Sequence, residues 1–275
     1  MTEGTLVRGR YVITGDDPLP IGEGAVRIAG DRIVAVGSWE DLRAAHPSDA
    51  VAGGANDIVT PGFVNTHGHF SEGLITGLAK DHTLWEWVGA LVEPVSPHLD
   101  YGSAYLGTLI AGMQMLRSGI TLANDMFVCD PRPGGPTTTG VVDALDELGL
   151  RGEVSFGAGD VRGASIGAIM EEHSALEEAA AASHLSRFRV GIAAIGAQSD
   201  ELFQQSAALA TETGAGSHIH LQEIREEVTA VRGRHGVTPI EHCARSGLFS
   251  APTIAAHCVW VDRADRELLA AHGVG

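Results

Sequence analysis

Two patterns of apolar and polar residues divide the chain. Between residues 5 and 60, short runs alternate apolar with polar positions at residues 6–13, 24–28 and 32–37, and a further run at 57–60 leads onward. Successive side chains of a strand point to opposite faces, so this alternation predicts a small sheet packed on one face. Gly30-Asp31, between the second and third runs, suits a tight hairpin turn.

From residue 60 onward the pattern becomes apolar strand, loop and helix, repeated. The strands are predicted at 60–69, 121–127, 152–158, 189–195, 217–223 and 253–260. The helices that follow are predicted at 101–118, 139–148, 166–184, 200–213, 238–246 and 263–272, several of them stopped by a glycine, with Asp262 as the N-cap of the last. The first helix comes only after a long connection, residues 70–99, which carries Trp85 and Trp87. Strands apolar on both faces and alternating with helices imply a parallel sheet covered by helices. No Gly-x-Gly-x-x-Gly follows any strand, which removes the main mark of an open dinucleotide-binding sheet. The expectation is an α/β protein: a partial N-terminal β-sandwich over residues 1–59 and a (β/α)8 TIM barrel over 60–275. About six of the barrel's eight units are present, and Val274-Gly275 reads as the start of a seventh strand.

Composition narrows the function. A formal net charge of −17 argues against nucleic acid and anionic membranes as partners, since both are bound by clustered Lys and Arg. No apolar run approaches the length of a membrane span, and Met1-Thr2-Glu3-Gly4 lacks the basic and apolar regions of a signal peptide, so a cytoplasmic location is expected. Cys129, Cys243 and Cys258 have neither disulfide-framework nor Cys-x-x-Cys spacing and read as core residues in a reducing compartment. The sequence leaves the oligomeric state open, a homo-oligomer included.

The candidate chemistry sits at strand ends. His67 and His69 close the first barrel strand, two residues apart and therefore on one face. His218 and His220 share a face of the fifth strand with Glu223 just beyond it, and His257 follows an apolar run in the sixth. His218 on its own reads as a core histidine; His220, with Glu223 three residues on, reads as a ligand. In a barrel these ends converge, and active sites occupy that face. Three or four neutral imidazoles and an open position are what a catalytic zinc or iron(II) site requires, and a nearby glutamate can move protons for it.

These segments, Pro61-Gly62-Phe63-Val64-Asn65-Thr66-His67-Gly68-His69, His218-Ile219-His220-Leu221-Gln222-Glu223 and Ala255-Ala256-His257-Cys258, resemble the amidohydrolase superfamily. The likeness is to its branch of cytosine, guanine and S-adenosylhomocysteine/methylthioadenosine deaminases and triazine chlorohydrolases. The stretch 24–37 resembles the same family's small sandwich. The resemblance implies that His67, His69 and His220 ligate one divalent metal, zinc or iron(II), that Glu223 shuttles protons, and that His257 orients substrate or the attacking water. Binuclear relatives use a lysine on the fourth strand; residues 189–195 hold none, and Lys80 is the chain's one lysine, so a single metal is expected.

The implied reaction is hydrolytic attack on a C–N bond of an N-heterocycle, with dechlorination or amine removal from a triazine ring as the rival within the enzyme class. Trp85 and Trp87, in the region that covers the ring in relatives, and Gln198, after the fourth strand, are the substrate-binding candidates. Two departures accompany the resemblance. The family's aspartate at the end of the eighth strand has no counterpart, so the chain reads as truncated, and an inactive fragment or scaffold is the alternative of another class. Adenosine-type deaminases carry a His-x-Pro-like segment where this chain has Ala194-Ile195-Gly196-Ala197, which counts against that substrate class.

Overall fold

A computed structural model describes residues 3–275. The chain divides into two compact units, one ending at Phe63 and the other spanning Val64–Gly275.

The first unit is a five-stranded sheet, β1 (Thr5–Val12), β2 (Ile21–Ala29), β3 (Arg32–Ser38), β4 (Ala50–Gly53) and β5 (Ile58–Val59), with one short helix, α1 (Trp39–Ala45). β1 and β2 are antiparallel, as are β2 and β3, and the expected hairpin closes with Ala29 opposite Arg32 around Gly30, whose φ of +61° favours glycine. β4 and β5 pair with β1 in parallel. Leu6, Val12, Ala25 and Val26 are buried, and Arg27 Nε donates to Asp49 Oδ2 at 2.6 Å in the same interior. Ile33, Val34, Val36, Val51 and Ile58 are exposed. Helix α1 and strand β4 are additions to the elements the sequence pattern predicts.

The second unit is a six-stranded parallel sheet in sequence order: β6 (Phe63–Gly68), β7 (Ile120–Val128), β8 (Arg151–Ala158), β9 (Ser186–Ile192), β10 (Ser217–Leu221) and β11 (Thr253–His257). Sequence-neighbouring strands that pair in parallel through helical crossovers give the (β/α) barrel expected. The sheet curls until its two outermost strands face each other at their C-terminal ends, where the rings of His67 and His257 are centred 5.2 Å apart. Beyond β11, Gly275 N–H donates to the Thr253 carbonyl and Ala255 N–H donates to that of Gly275, the bonding of a further strand on that edge.

The helices are α2 (Leu84–Trp87), α3 (Glu93–Val95), α4 (Tyr101–Arg117), α5 (Thr139–Leu148), α6 (Ile166–Ala182), α7 (Asp200–Glu212), α8 (Arg225–His235), α9 (Pro239–Arg245) and α10 (Arg263–His272). α5 and α10 have the predicted bounds, both stopped by left-handed glycines, Gly149 and Gly273. Three expectations are corrected. The connection 70–99 is largely helical: α2 starts with a Thr83–Glu86 capping box and continues through the wide turn Val88–Val92 into α3. α8 is a full helix where the sequence suggests only an acidic helix start at Glu226 and Glu227. The fourth strand stops at Ile192, and Ile195–Ala197 forms a 3-10 turn. Phe127, Phe156, Leu145, Leu176 and Leu202 pack the core between sheet and helices, and Ile192, Ile219, Leu221 and Ile240 continue it towards β11. Among the described residues no helix is long and apolar enough to cross a membrane.

Candidate active site

The C-terminal ends of β6, β10 and β11 bring His67, His69, His220, Glu223 and His257 to the floor of one cavity of about 770 Å³. Side chains two apart on a strand share a face, so His67 with His69 and His218 with His220 both aim along the barrel axis. One nitrogen from each of His67, His69 and His220 lies within 4.8 Å of the others, a spacing that could hold a metal ion.

Local bonds orient these rings. His69 Nδ1 lies 2.7 Å from the Met126 carbonyl and His220 Nδ1 lies 2.6 Å from that of Ala193. A carbonyl only accepts, so both rings carry their proton on Nδ1 and leave Nε2 bare. The two Nε2 atoms face each other at 3.2 Å. Two lone pairs at that distance repel unless a cation lies between them, so the donor set fits a divalent metal. Burial, reinforced by the neighbouring imidazoles, drops His67 and His220 to about 3. Burial likewise lowers His69, against the Met126 bond. At neutral pH the rings are therefore uncharged, as ligation demands.

The other strand ends are held by strain and by buried polar groups. Gln222, His257 and Cys258 take φ of +51°, +75° and +46°, a region that non-glycine residues avoid unless the surroundings enforce it. The buried Gln222 amide donates to the Trp260 carbonyl at 2.6 Å and to Asp265 Oδ2 at 3.0 Å, while Thr238 Oγ1 donates to Asp265 Oδ1 at 2.7 Å. This network ties the end of β10 to α9 and α10. It sets Glu223 beside His257, with Oε2 and Nε2 3.5 Å apart. Glu227 Oε2 accepts the Glu223 N–H at 3.1 Å, and burial raises the Glu227 carboxyl, so Glu227 is not the solvated helix-start residue its position suggests.

The helical segment 84–95 supplies an apolar wall: Leu84, Trp85, Trp87, Val88, Val92 and Val95 all line the cavity. Trp85 and Trp87 thus meet the metal-site candidates at one cavity. Gln198 does not: it is buried outside the lining, where its Nε2 donates to the Ala158 carbonyl at 3.2 Å. The strand it was expected to follow ends early and the 3-10 turn carries it into the core. Sequence reasoning passed over Glu72, which lines the cavity three residues after His69 and is pushed up to about 7 by burial. It also passed over Asp125, a fully buried carboxyl raised well above its ordinary value by burial, whose Oδ1 accepts the Phe70 N–H at 2.6 Å. The spacing of Glu72 from His69 was the available signal; Asp125 left none. Glu72, Glu93, Asp130, Glu223, Glu226 and Glu227 all reach the lining, and Arg162, paired with Glu93, is its one lysine or arginine among the described residues.

Comparison with known proteins agrees with this geometry. The profile of the amidohydrolase family matches residues 58–275. The chain belongs to the amidohydrolase family. A second profile, an imidazolonepropionase-like composite domain of bacteria, matches residues 24–48. Among curated amidohydrolase relatives, 5-methylthioadenosine/S-adenosylhomocysteine deaminase of Pelotomaculum thermopropionicum is 31% identical over 272 residues, covering 98% of this chain and 61% of the relative. The 5'-deoxyadenosine deaminase of Methanothermobacter thermautotrophicus is 32% identical over 269 residues, covering 96% and 60%. The chain thus spans about three fifths of the length of these relatives. Among solved structures, atrazine chlorohydrolase from Arthrobacter aurescens, complexed with zinc, superposes with a TM-score of 0.86 at 21% identity, covering 98% of this chain and 64% of that one. At that identity the likeness establishes the amidohydrolase fold.

Proposed function

We propose that this amidohydrolase hydrolytically removes an amino group from an N-heterocycle, releasing ammonia. The observation that carries the reading is the convergence of the His67, His69 and His220 imidazoles with Glu223 and His257 at the floor of one cavity. His67, His69 and His220 would hold a single divalent ion, zinc in preference to iron(II), since three neutral imidazoles with an open position suit zinc without redox chemistry. Such an ion supplies Lewis acidity and lowers the pKa of water towards 7. Glu223 accepts one proton from the attacking water and passes it to the ring nitrogen. The proton of the added hydroxyl then goes by way of Glu223 to the amino group, which leaves as ammonia as the C–N bond breaks and the ring carbonyl forms. His257 donates or accepts at the reacting carbon's substituent and holds it in line. Trp85 and Trp87 cover the ring with apolar surface. Gln198, buried away from the cavity, takes no part.

The acidic lining favours a neutral or cationic substrate over a phosphorylated one. The names of the curated relatives point to adenine nucleosides modified at the 5' position, and the apolar wall 84–95 offers room for such a group. The segment Ala194-Ile195-Gly196-Ala197 stands where that class carries a His-x-Pro-like segment, which leaves Glu223 and His257 as the polar groups assigned to the ring. The triazine rival rests on fold likeness alone. The three cysteines are free, which suits a reducing cytoplasm.

The test is incubation of the zinc-loaded protein with adenosine and its 5'-modified derivatives, with guanine and cytosine beside them, reading ammonia and the ultraviolet shift of the deaminated ring. Ammonia from at least one of these is expected. Chloride or alkylamine from a triazine without ammonia from any aminated heterocycle would overturn the proposal.

A further inference from the structure

The three candidate ligands do not reach the same protonation pattern by the same means. His69 and His220 each rest Nδ1 on a backbone carbonyl. His67 has no carbonyl at that position: its Nδ1 lies 2.9 Å from Nε2 of His218. A neutral imidazole has one N–H and one bare nitrogen, so one ring must donate to the other.

The direction follows from what lies behind His218. Its Nδ1 is 3.2 Å from Ser155 Oγ, and Ser155 Oγ–H donates to the Asp125 carbonyl at 2.7 Å. The carbonyl can only accept, so it takes the single hydroxyl proton of Ser155. Towards His218 the hydroxyl can then only accept, and His218 must carry its proton on Nδ1. Its Nε2 is left bare and must accept from His67 Nδ1–H. The bare nitrogen of His67 is therefore Nε2, the same atom that His69 and His220 present.

We propose that His218 and Ser155 are positioning residues, a relay from the Asp125 carbonyl that fixes the His67 tautomer and so completes a three-Nε2 metal site. The inference rests on the metal-centre reading above. Both relay side chains are fully buried on the barrel axis, so water cannot substitute for them. Partners behind a ligating imidazole fix its tautomer and raise its basicity, and losing one typically weakens metal binding about 10- to 100-fold.

The test combines nitrogen-15 spectra of the histidine rings with zinc affinity measured by chelator competition. In the metal-free wild type, His67 is expected as the Nδ1–H tautomer. His218→Leu should lose that pattern and bind zinc about 10- to 100-fold more weakly. His218→Gln, whose side chain can accept from His67 and donate to Ser155, should restore affinity to within a few-fold. Ser155→Ala should weaken binding less than His218→Leu. A His67 protonated on Nε2 in the wild type would overturn the relay, as would a His218→Leu protein that melts like the wild type and binds zinc equally well. If His218→Leu fails to fold, the wild-type spectrum and Ser155→Ala still decide. A wild type that takes up no zinc contradicts the metal centre instead, and the His67 tautomer then judges the relay separately.

Discussion

Two histidines are wholly buried in this barrel, and they live differently. His218, on the barrel axis, has both ring nitrogens within hydrogen-bonding distance of partners, His67 and Ser155. His173, on α6 between the rings of Phe156 and Phe188, has neither nitrogen hydrogen-bonded. Burial lowers both, His218 to about 3 and His173 to about 4. Equal burial therefore says nothing about role. Along the axis, buried polar groups form chains that end at the floor of the cavity. On α6, His173 is instead a local liability, tolerated by the surrounding packing, although its neighbour Glu172 is satisfied by Thr137 and Thr138.

The contrast makes opposite demands on the two regions. Changes at the axis and strand ends should damage chemistry more than stability; the change at His173 should improve stability and leave chemistry alone. The largest effect is expected for Glu223→Gln, which keeps shape and removes the carboxylate proposed to carry protons: kcat should fall by about 10²–10⁴ while zinc affinity, measured by chelator competition, stays within a few-fold. Loss of zinc together with activity would place Glu223 in the ligand set instead.

His173 comes next, and its sign can be worked out. The unfolded chain protonates this ring near the ordinary 6.5, the folded one only near 4, so between those values the unfolded state binds more protons. Its burial thus adds no pH dependence above pH 6.5, and stability is lost as pH falls from 6.5 towards 4, by about 3 kcal/mol in total. His173→Leu should remove that share of the acid slope in urea unfolding, leaving the part due to the axis imidazoles, and should raise stability at pH 7 by about 1–3 kcal/mol because no unpaired polar group remains buried. A destabilised variant with an unchanged slope would show that His173 has a partner after all.

The smallest of the three is Asp265→Ala. It strips the acceptor from Gln222 and Thr238 and should cost about 2 kcal/mol, seen as a lower melting temperature. Because that network braces the strained ends carrying Glu223 and His257, kcat should drop with it. Unaltered kcat would mean that those ends hold their geometry without α10.

Much of this was written in periodicity. The barrel strands and most of the helices follow from apolar runs bounded by caps and glycines, and α5 and α10 keep their predicted limits because Gly149 and Gly273 stop them sharply. α8 escaped because Arg225, Glu226, Glu227, Arg232 and Arg234 dominate it and it buries only Val231. The helical wall 84–95 does show apolar residues at Leu84, Val88, Val92 and Val95, a helical spacing, but the stretch lies inside the connection 70–99, which reads as a long loop carrying Trp85 and Trp87. His67, His69, His220, Glu223 and His257 were legible because strand ends converge in a barrel. Ser155 and Asp125 were not, and His218 read only as core, because their hydrogen bonds join residues 30 to 151 positions apart. Gln198 went astray with the strand that ends early at Ile192.

The central claim is that the Nε2 atoms of His67, His69 and His220 form one metal site. The most direct measurement is zinc titration of the metal-stripped protein, with the ion counted per chain, for the wild type and for His220→Ala. One tightly held zinc per chain, lost or weakened more than about a hundredfold in a folded His220→Ala protein, is the predicted result. No zinc in the wild type, or one zinc held equally well without His220, would contradict it.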